Sequence, residues 1–452
     1  MKNRMLICMA VAGGLLTSCG AYRKYQPVSS VPDNLYGAEI TQTDTASIAS
    51  MDWKTLFNDP CLQSLIDTAL VRNTDYNVAG LRTRQALASL GAAKLAYFPS
   101  LNFGADGNVS RYDGLTTKTY NIGVNASWEI DIFGKLTAAK REAAAAAVSA
   151  SEQAQAVRTQ LIATVATSYY SLLMLDRQVE IAKSTLANWD ETIRVMELLK
   201  TAGLANEAGI LQTKANRTGL QADIVAMEKS RKEVENSLSS LIAQAPGEIR
   251  RGSMDEIFFT DNLSVGLPVQ LLSNRPDVRA AEMEVARTHY GIGMARASFY
   301  PSLTLGGTIG FTNNGGVVVN PGQWLLNAVG QLVQPIFNRG QLRANYRIAE
   351  AEREIALLQF NQSLINAGNE VNNALSDISA ARERSVLIKE QIGLLSDAVT
   401  KTELLMRHSP TNYLEVLTAQ QALLAARQTE VQCRYDEIAG IITLYHALGG
   451  GR

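Results

Sequence analysis

The chain has 452 residues, 6% aromatic and 19% charged, with 42 Lys and Arg against 43 Asp and Glu for a net charge of −1. That balance excludes a nucleic-acid partner gripped by a basic face, and the abundance of Ala, Leu, Gln and Glu suits long helices better than a compact enzyme core. No window of 18 or more residues is apolar enough for a membrane-spanning helix.

The first predicted element is a targeting signal. Met1-Lys2-Asn3-Arg4 is basic, Met5 to Leu16 is a short apolar run, and Leu16-Thr17-Ser18-Cys19 follows. The run is too short to cross a bilayer but suits a signal peptide. Small residues ending in Cys resemble a bacterial lipobox, so residues 1–18 are predicted to be removed and Cys19 to be lipidated. Each acyl methylene buried in lipid then adds about 0.8 kcal/mol of anchoring. Cys61 and Cys433 remain, near opposite ends of the chain, and read as two separate thiols.

Beyond an N-terminal segment (19–60), the chain says one thing twice. Ala93-Lys94-Leu95-Ala96-Tyr97-Phe98-Pro99-Ser100-Leu101 recurs as Ala295-Arg296-Ala297-Ser298-Phe299-Tyr300-Pro301-Ser302-Leu303. Proline cannot continue a helix and pushes the residue before it toward extended backbone, so each copy marks a helix-to-strand boundary. The duplicated unit is helix–strand–strand–helix–helix, spanning 61–246 and 273–448 with a linker at 247–272.

Strands are predicted at about 100–112 and 119–132, and again at about 302–313 and 323–334. Tyr120, Ile122, Val124, Ala126, Trp128, Ile130 and Ile132 alternate with Asn121, Gly123, Asn125, Ser127, Glu129 and Asp131. Period two gives one apolar and one polar face. Trp324, Leu326, Ala328 and Leu332 continue the apolar set in the second half. Segments of this length fit a tilted transmembrane strand, and Tyr97, Phe98, Tyr120, Trp128, Phe299, Tyr300 and Trp324 stand at strand ends, as an interfacial girdle would. Four strands cannot close a barrel around a water-filled lumen, and an open edge is not tolerated in lipid. If they span a membrane, several chains share one barrel.

Helical hairpins are predicted at about 135–245 and 340–448. Lys135 to Ala202 contains no Gly or Pro and would make a rod of about 100 Å. Leu161, Val165, Ser168, Leu172, Leu175, Val179, Ala182, Leu186, Trp189, Ile193 and Met196 fall on a coiled-coil seam. Leu417, Leu424, Val431, Tyr435, Ile438, Ile442 and Tyr445 form a second seam, interrupted by Gln421 and Gln428. His289, His408 and His446 show no metal-ligand spacing and no phosphate loop or dinucleotide fingerprint occurs, so neither a cofactor nor an enzyme is expected.

Taken together, the lipobox, the duplication, the Phe-Pro-Ser-Leu and Tyr-Pro-Ser-Leu junctions and the hairpins resemble the TolC-like outer-membrane factors, in particular their lipoprotein OprM/NodT branch. Leu272-Ser273-Asn274-Arg275-Pro276-Asp277-Val278-Arg279-Ala280-Ala281-Glu282, Gln334-Pro335-Ile336-Phe337 and Leu342-Arg343-Ala344-Asn345-Tyr346 are similar to stretches of that family. The resemblance implies a mainly α fold with membrane β: a homotrimer whose twelve strands close one outer-membrane barrel above a periplasmic helical tunnel. The N-terminal segment, the 247–272 linker and the C-terminus would form an equatorial girdle. The partners implied are outer-membrane lipid, a periplasmic adaptor and an inner-membrane RND-type pump, and the activity is passive efflux. Tyr120, Ile122, Val124, Ala126, Trp128, Trp324 and Leu326 would face lipid.

The resemblance also places adaptor-docking tips at Gly203, Leu204 and Ala205, and at Ser409, Pro410 and Thr411, where Ser-Pro replaces the family's usual Ala-Gly. Asn412, Tyr413 and Glu415 would form a periplasmic constriction; the alternative for Glu415 is a solvated carboxylate on the outer wall. A non-conducting coiled-coil lipoprotein, structural or adhesive, and a type I secretion duct are the competing readings of the whole chain. A spike, however, has no use for a lipid-facing ladder.

Overall fold

A computed structural model describes residues 24–27, 35, 47–203, 206–257, 259, 265, 270–313, 323–408 and 413–451. In chain order the elements are α1 (Trp53–Leu56), α2 (Pro60–Arg72), α3 (Thr74–Leu95), β1 (Ser100–Tyr112), β2 (Leu115–Ile130), α4 (Lys135–Thr201), α5 (Glu207–Leu241), α6 (Leu271–Asn274), α7 (Pro276–Ala297), β3 (Ser302–Thr312), β4 (Gln323–Val333), α8 (Gln341–His408) and α9 (Tyr413–Ala447). The pattern α3-β1-β2-α4-α5 repeats as α7-β3-β4-α8-α9, so the duplication legible in the chain is a duplication of structure.

Two compact units form, and neither coincides with a repeat, since each gathers residues from both. The first holds residues 80–153 and 277–363, and with them the sheet; the second holds 30–79, 154–276 and 364–452.

In the first unit the strands form one antiparallel sheet in the order β1-β2-β3-β4. β2 starts at Leu115, earlier than the alternation alone suggests. The reason lies in the turn before it. Asp113 (φ 49°) and Gly114 (φ 76°) both take the left-handed region, so a two-residue hairpin closes at once on the Tyr112–Leu115 pair. At its other end β2 stops at Ile130, because Asp131 leaves the ladder to cap α4. Its carboxylate accepts from the Leu136 and Thr137 amides, both at 2.9 Å, and from the Thr137 hydroxyl at 2.6 Å. Asp131 and Ile132 therefore do not belong to the two faces of the strand.

In the second unit the seam of α4 is buried from Leu161 to Met196, with Ser168 and Leu186 half-buried. Around Leu161 to Leu175 burial spreads beyond the seam to Ile162, Ala166, Tyr169, Tyr170 and Leu173. Tyr169 and Tyr170 are the bulkiest fully buried side chains among the described residues, and heptad spacing leaves both off the seam. What covers them is chain-distant. Phe57 packs on Tyr170 at 6.4 Å and on Tyr445 at 6.3 Å, and the Tyr169 hydroxyl bonds Asp59 and accepts from the Gly252 amide at 2.9 Å. Burial first, then Asp59, hold that hydroxyl far above the usual tyrosine range. Further along the hairpin, Ala182, Trp189, Leu220 and Ile224 close a small core flanked by Leu186, Met227 and Leu424.

Arg275 explains the Asn-Arg-Pro-Asp stretch. Pro276 opens α7 at its first position, where the missing N–H costs nothing. The preceding Arg275 is buried and donates to Glu370 Oε2 (2.6 Å) and to the Ala447 carbonyl at the end of α9 (3.1 Å). Such end carbonyls have no partner inside their own helix. Arg251 performs a similar task on the first hairpin, donating to Asp176 Oδ2 of α4 (2.5 Å) and to Glu235 Oε1 of α5 (2.8 Å). Cys61 and Cys433 are free thiols.

Candidate functional site

The register of the sheet sorts its side chains into two faces. Phe103 pairs with Val124, Val124 with Ile309, and Ile309 with Leu326. Successive residues on a strand alternate faces, so Leu101, Phe103, Ala105 and Val109 lie with Tyr120, Ile122, Val124, Ala126, Trp128 and Ile130. They continue into Leu303, Leu305, Ile309 and Phe311, then Trp324, Leu326, Ala328 and Leu332. This apolar face is bare: Phe103 is 73% exposed, Trp324 72% and Leu326 82%. A contiguous apolar surface of this size is far beyond what a soluble monomer leaves uncovered.

The opposite face is polar and cross-linked. Asn121 donates to Asp106 Oδ2 (2.9 Å) and accepts from the Thr312 hydroxyl (2.6 Å), linking three strands; Thr308 donates to Asn125 Oδ1 (2.7 Å). No Lys or Arg lies on this face within the paired strands; Asp106 and Glu129 are its carboxylates. Gly104, Gly123 and Gly310 form a row across β1, β2 and β3. A β-carbon on Gly123 would stand 2.7 Å from the Ile309 carbonyl oxygen, and one on Gly310 would strike the Ile122 carbonyl. Backbones crowded on the polar side belong to a sheet curling toward that side.

The end of the sheet next to the helices carries an aromatic belt. Trp128 Nε1 donates to the Tyr97 carbonyl (2.8 Å), Phe133 stacks on Tyr300 at 4.9 Å, and Phe299 meets Tyr346 edge-on at 6.2 Å. Lys140 lies over Tyr97 and Arg296 over Tyr346. Apolar ring and polar handle side by side suit a membrane–water boundary. Nearby, Tyr25, six residues beyond Cys19, rests on α7 against His289 with ring centres 5.9 Å apart; burial and then Glu282 push its hydroxyl up to about 12.

At the far end of the first hairpin, Gly203 takes φ +74°, Lys200 pairs with Glu207 across the turn, and Asn206 caps α5 by accepting from the Gly209 amide at 2.9 Å. At the start of α9, Leu414 and Glu415 are exposed while Val416 and Leu417 are buried. Gln212 and Asn216 of α5 share a cavity of about 340 Å³ with Leu414, Leu417, Thr418 and Gln421; Glu415 does not line it. Cys19, Leu204, Ala205, Ser409, Pro410, Thr411 and Asn412 lie outside the described residues, and of Tyr413 only the backbone is described.

Sequence reasoning singled out neither the glycine row nor Asn313. Asn313 is buried beyond the end of β3, bonds the Tyr120 amide and donates to the Lys118 carbonyl at 3.1 Å. The glycines were visible as residues, but only register shows that they share a row.

A family model described as outer membrane efflux protein matches residues 65–244 and 267–450. The chain belongs to the outer membrane efflux protein family. It is 30% identical over 453 residues to the cation efflux system protein CusC of Escherichia coli O6:H1, covering 98% of this chain and 97% of that protein. It is 28% identical to the probable outer membrane lipoprotein SilC of Salmonella typhimurium, covering 98% and 96%. Among solved structures, the outer-membrane channel OprN superposes with a TM-score of 0.86 at 26% identity, covering 95% of this chain and 98% of that one. The fold is thus TolC-like, and the protein is the outer-membrane channel of a tripartite efflux system.

Proposed function

We propose that three copies of this chain close a twelve-stranded barrel in the outer membrane and conduct substrate passively from a helical tunnel in the periplasm to the exterior. The observation that carries this reading is the four-stranded sheet itself, apolar on one face, polar on the other, with the outer sides of both edge strands unpaired among the described residues. In lipid such edges must be satisfied. A β1 that meets the β4 of the next copy does so three times and closes the ring. The chain performs no catalysis in this scheme.

Cys19 carries the lipid, and the segment that follows it docks through Tyr25. A periplasmic adaptor and an inner-membrane pump engage the hairpin ends, around Gly203, Leu204 and Ala205 and around Ser409, Pro410 and Thr411, with Asn412, Tyr413 and Glu415 narrowing the passage. The substrate class we propose is cations. CusC is named for cation efflux, and within the paired strands the polar face of this sheet holds no Lys or Arg, only the carboxylates Asp106 and Glu129, of which Glu129 is paired with Lys135 from the start of α4 at 3.0 Å. Purified full-length trimers in a planar bilayer under a salt gradient test both parts. Cation-selective conductance supports them; no conductance even after substitutions at the hairpin ends overturns the duct, and anion selectivity overturns the substrate class.

A further inference from the structure

The outward face of the β1–β2 hairpin does not end at its apolar ladder. Two residues beyond Val109 on the same face comes Arg111, and two residues before Tyr120 on the neighbouring strand comes Lys118. Val109 pairs with Lys118 and Arg111 with Thr116, so the two cations are diagonal neighbours, about 7–8 Å apart at the backbone. Both are exposed, and neither has an ion-pair partner among the described residues. The carboxylate nearest to Arg111 in sequence, Asp113, belongs to the two-residue turn and forms no ion pair with either among the described residues. Asp106 points to the other face, where it binds Asn121.

Their height follows from strand geometry. Leu101 to Val109 climbs about 26 Å along the strand, or about 20 Å along the membrane normal at a tilt of ~40°. Arg111 then stands about 25 Å above Leu101, which is the height of the apolar band of an outer-membrane barrel. The turn is opposite the helices, so this rim meets the outer leaflet. A two-residue loop leaves the cations no freedom to fold away: Asp113 and Gly114 are both committed to positive φ.

We propose that Arg111 and Lys118 form a clasp for the phosphate of an anionic, phosphorylated glycolipid in the outer leaflet, one clasp per chain. This rests on the barrel reading above. A guanidinium takes phosphate oxygens in a bidentate fork, and an ammonium beside it adds a second charge on the same group. The apolar ladder beneath, from Val109 and Tyr120 downward, receives the acyl chains. A cation near an anionic membrane surface contributes roughly 1 kcal/mol, or about fivefold each.

The test uses full-length trimers in vesicles of phosphatidylcholine doped either with lipid A or with fully dephosphorylated lipid A, which keeps the same acyl chains. Lipid retained by the extracted trimer is counted by native mass spectrometry. The wild type should retain the phosphorylated form roughly twenty-five-fold better, about fivefold for each cation. The Arg111→Gln/Lys118→Gln variant should lose that preference, while Lys118→Arg keeps it. Equal retention of the two lipids by the wild type overturns the clasp even if the double variant fails to assemble. So does an undiminished preference in the double variant. Failure of wild-type chains to insert into any vesicle would instead count against the barrel.

Discussion

Gly123 and Gly310 sit opposite each other on β2 and β3, and neither has room for a β-carbon. The crowding is backbone against backbone, so no side-chain rotation relieves it. Gly310→Ala should therefore push the Ile122 carbonyl out of register and cost about 1–3 kcal/mol per chain. Gly219, on α5, has open space at its β-carbon, and Gly219→Ala should leave assembly intact or strengthen the helix. Heat-resistant trimer on a semi-native gel reads the difference; equal trimer yields would show that the close approach does not matter.

The two faces of β2 make opposite predictions one residue apart. Val124→Arg places a charge in the middle of the apolar face, where it costs about 2–4 kcal/mol per copy at the bilayer midplane. Asn125→Arg adds the same charge to the polar face, beside Thr308. The first should abolish membrane-inserted trimer and the second should spare it while reducing cation conductance. Comparable insertion of both would mean that the faces are assigned the wrong way.

Arg275 joins the start of α7 to the end of α9 through a buried guanidinium. Arg275→Met keeps much of the stem but leaves the Ala447 carbonyl without its donor and Glu370 without its cation. Glu370 is half exposed and recovers some solvation, so the expected loss is about 2–3 kcal/mol. Urea unfolding followed by tyrosine and tryptophan fluorescence should show a lower midpoint with an unchanged slope.

Acid should loosen the Arg251 clamp. Burial opposes the charge on Glu235, but hydrogen bonds from Arg251 and Lys232 win and hold its carboxyl below the usual 4.5. A depressed acid contributes stability above its unfolded pKa and loses it as pH falls through the folded one. The Tm gap between wild type and Glu235→Gln should therefore be constant near neutrality and shrink as pH drops below about 4.5. A gap that widens in acid would reverse the sign of the interaction.

The family resemblance places the adaptor contact at Leu204, which lies between α4 and α5 in the chain. Leu204→Asp should impair efflux in cells without lowering the Tm of the purified trimer. An apolar anchor at an interface is often worth 2 kcal/mol or more, and a charge there desolvates poorly. A large drop in Tm would show instead that Leu204 packs within its own hairpin.

What the chain discloses by itself is whatever repeats locally. Pro99 and Pro301 mark the junctions because proline acts on its own backbone, and the alternation from Tyr120 to Ile130 writes both faces of β2 into adjacent residues. The turn at Asp113-Gly114 is equally local, and its two positive-φ residues set the start of β2 at Leu115. Tyr169 and Tyr170 are different: heptad spacing sets them off the seam, and Phe57 and Gly252, far away in the chain, bury them. Arg275 could be recognised as part of a motif, but its partners Glu370 and Ala447 lie in the other arm of the repeat. The faces of β4 were legible at Trp324 and Leu326, whereas the glycine row across three strands required register.

If three copies close the ring as proposed, the edges of β1 and β4, unpaired among the described residues, have a genetic consequence. Where every seam joins one chain to the next, a single chain with a ruined edge breaks the ring for its two sound neighbours. In a cell expressing equal amounts of intact and edge-defective copies, random mixing leaves about one assembly in eight wholly intact. Such alleles should be dominant negative, and the dominance should vanish when the same chain also carries a lesion that keeps it from reaching the membrane.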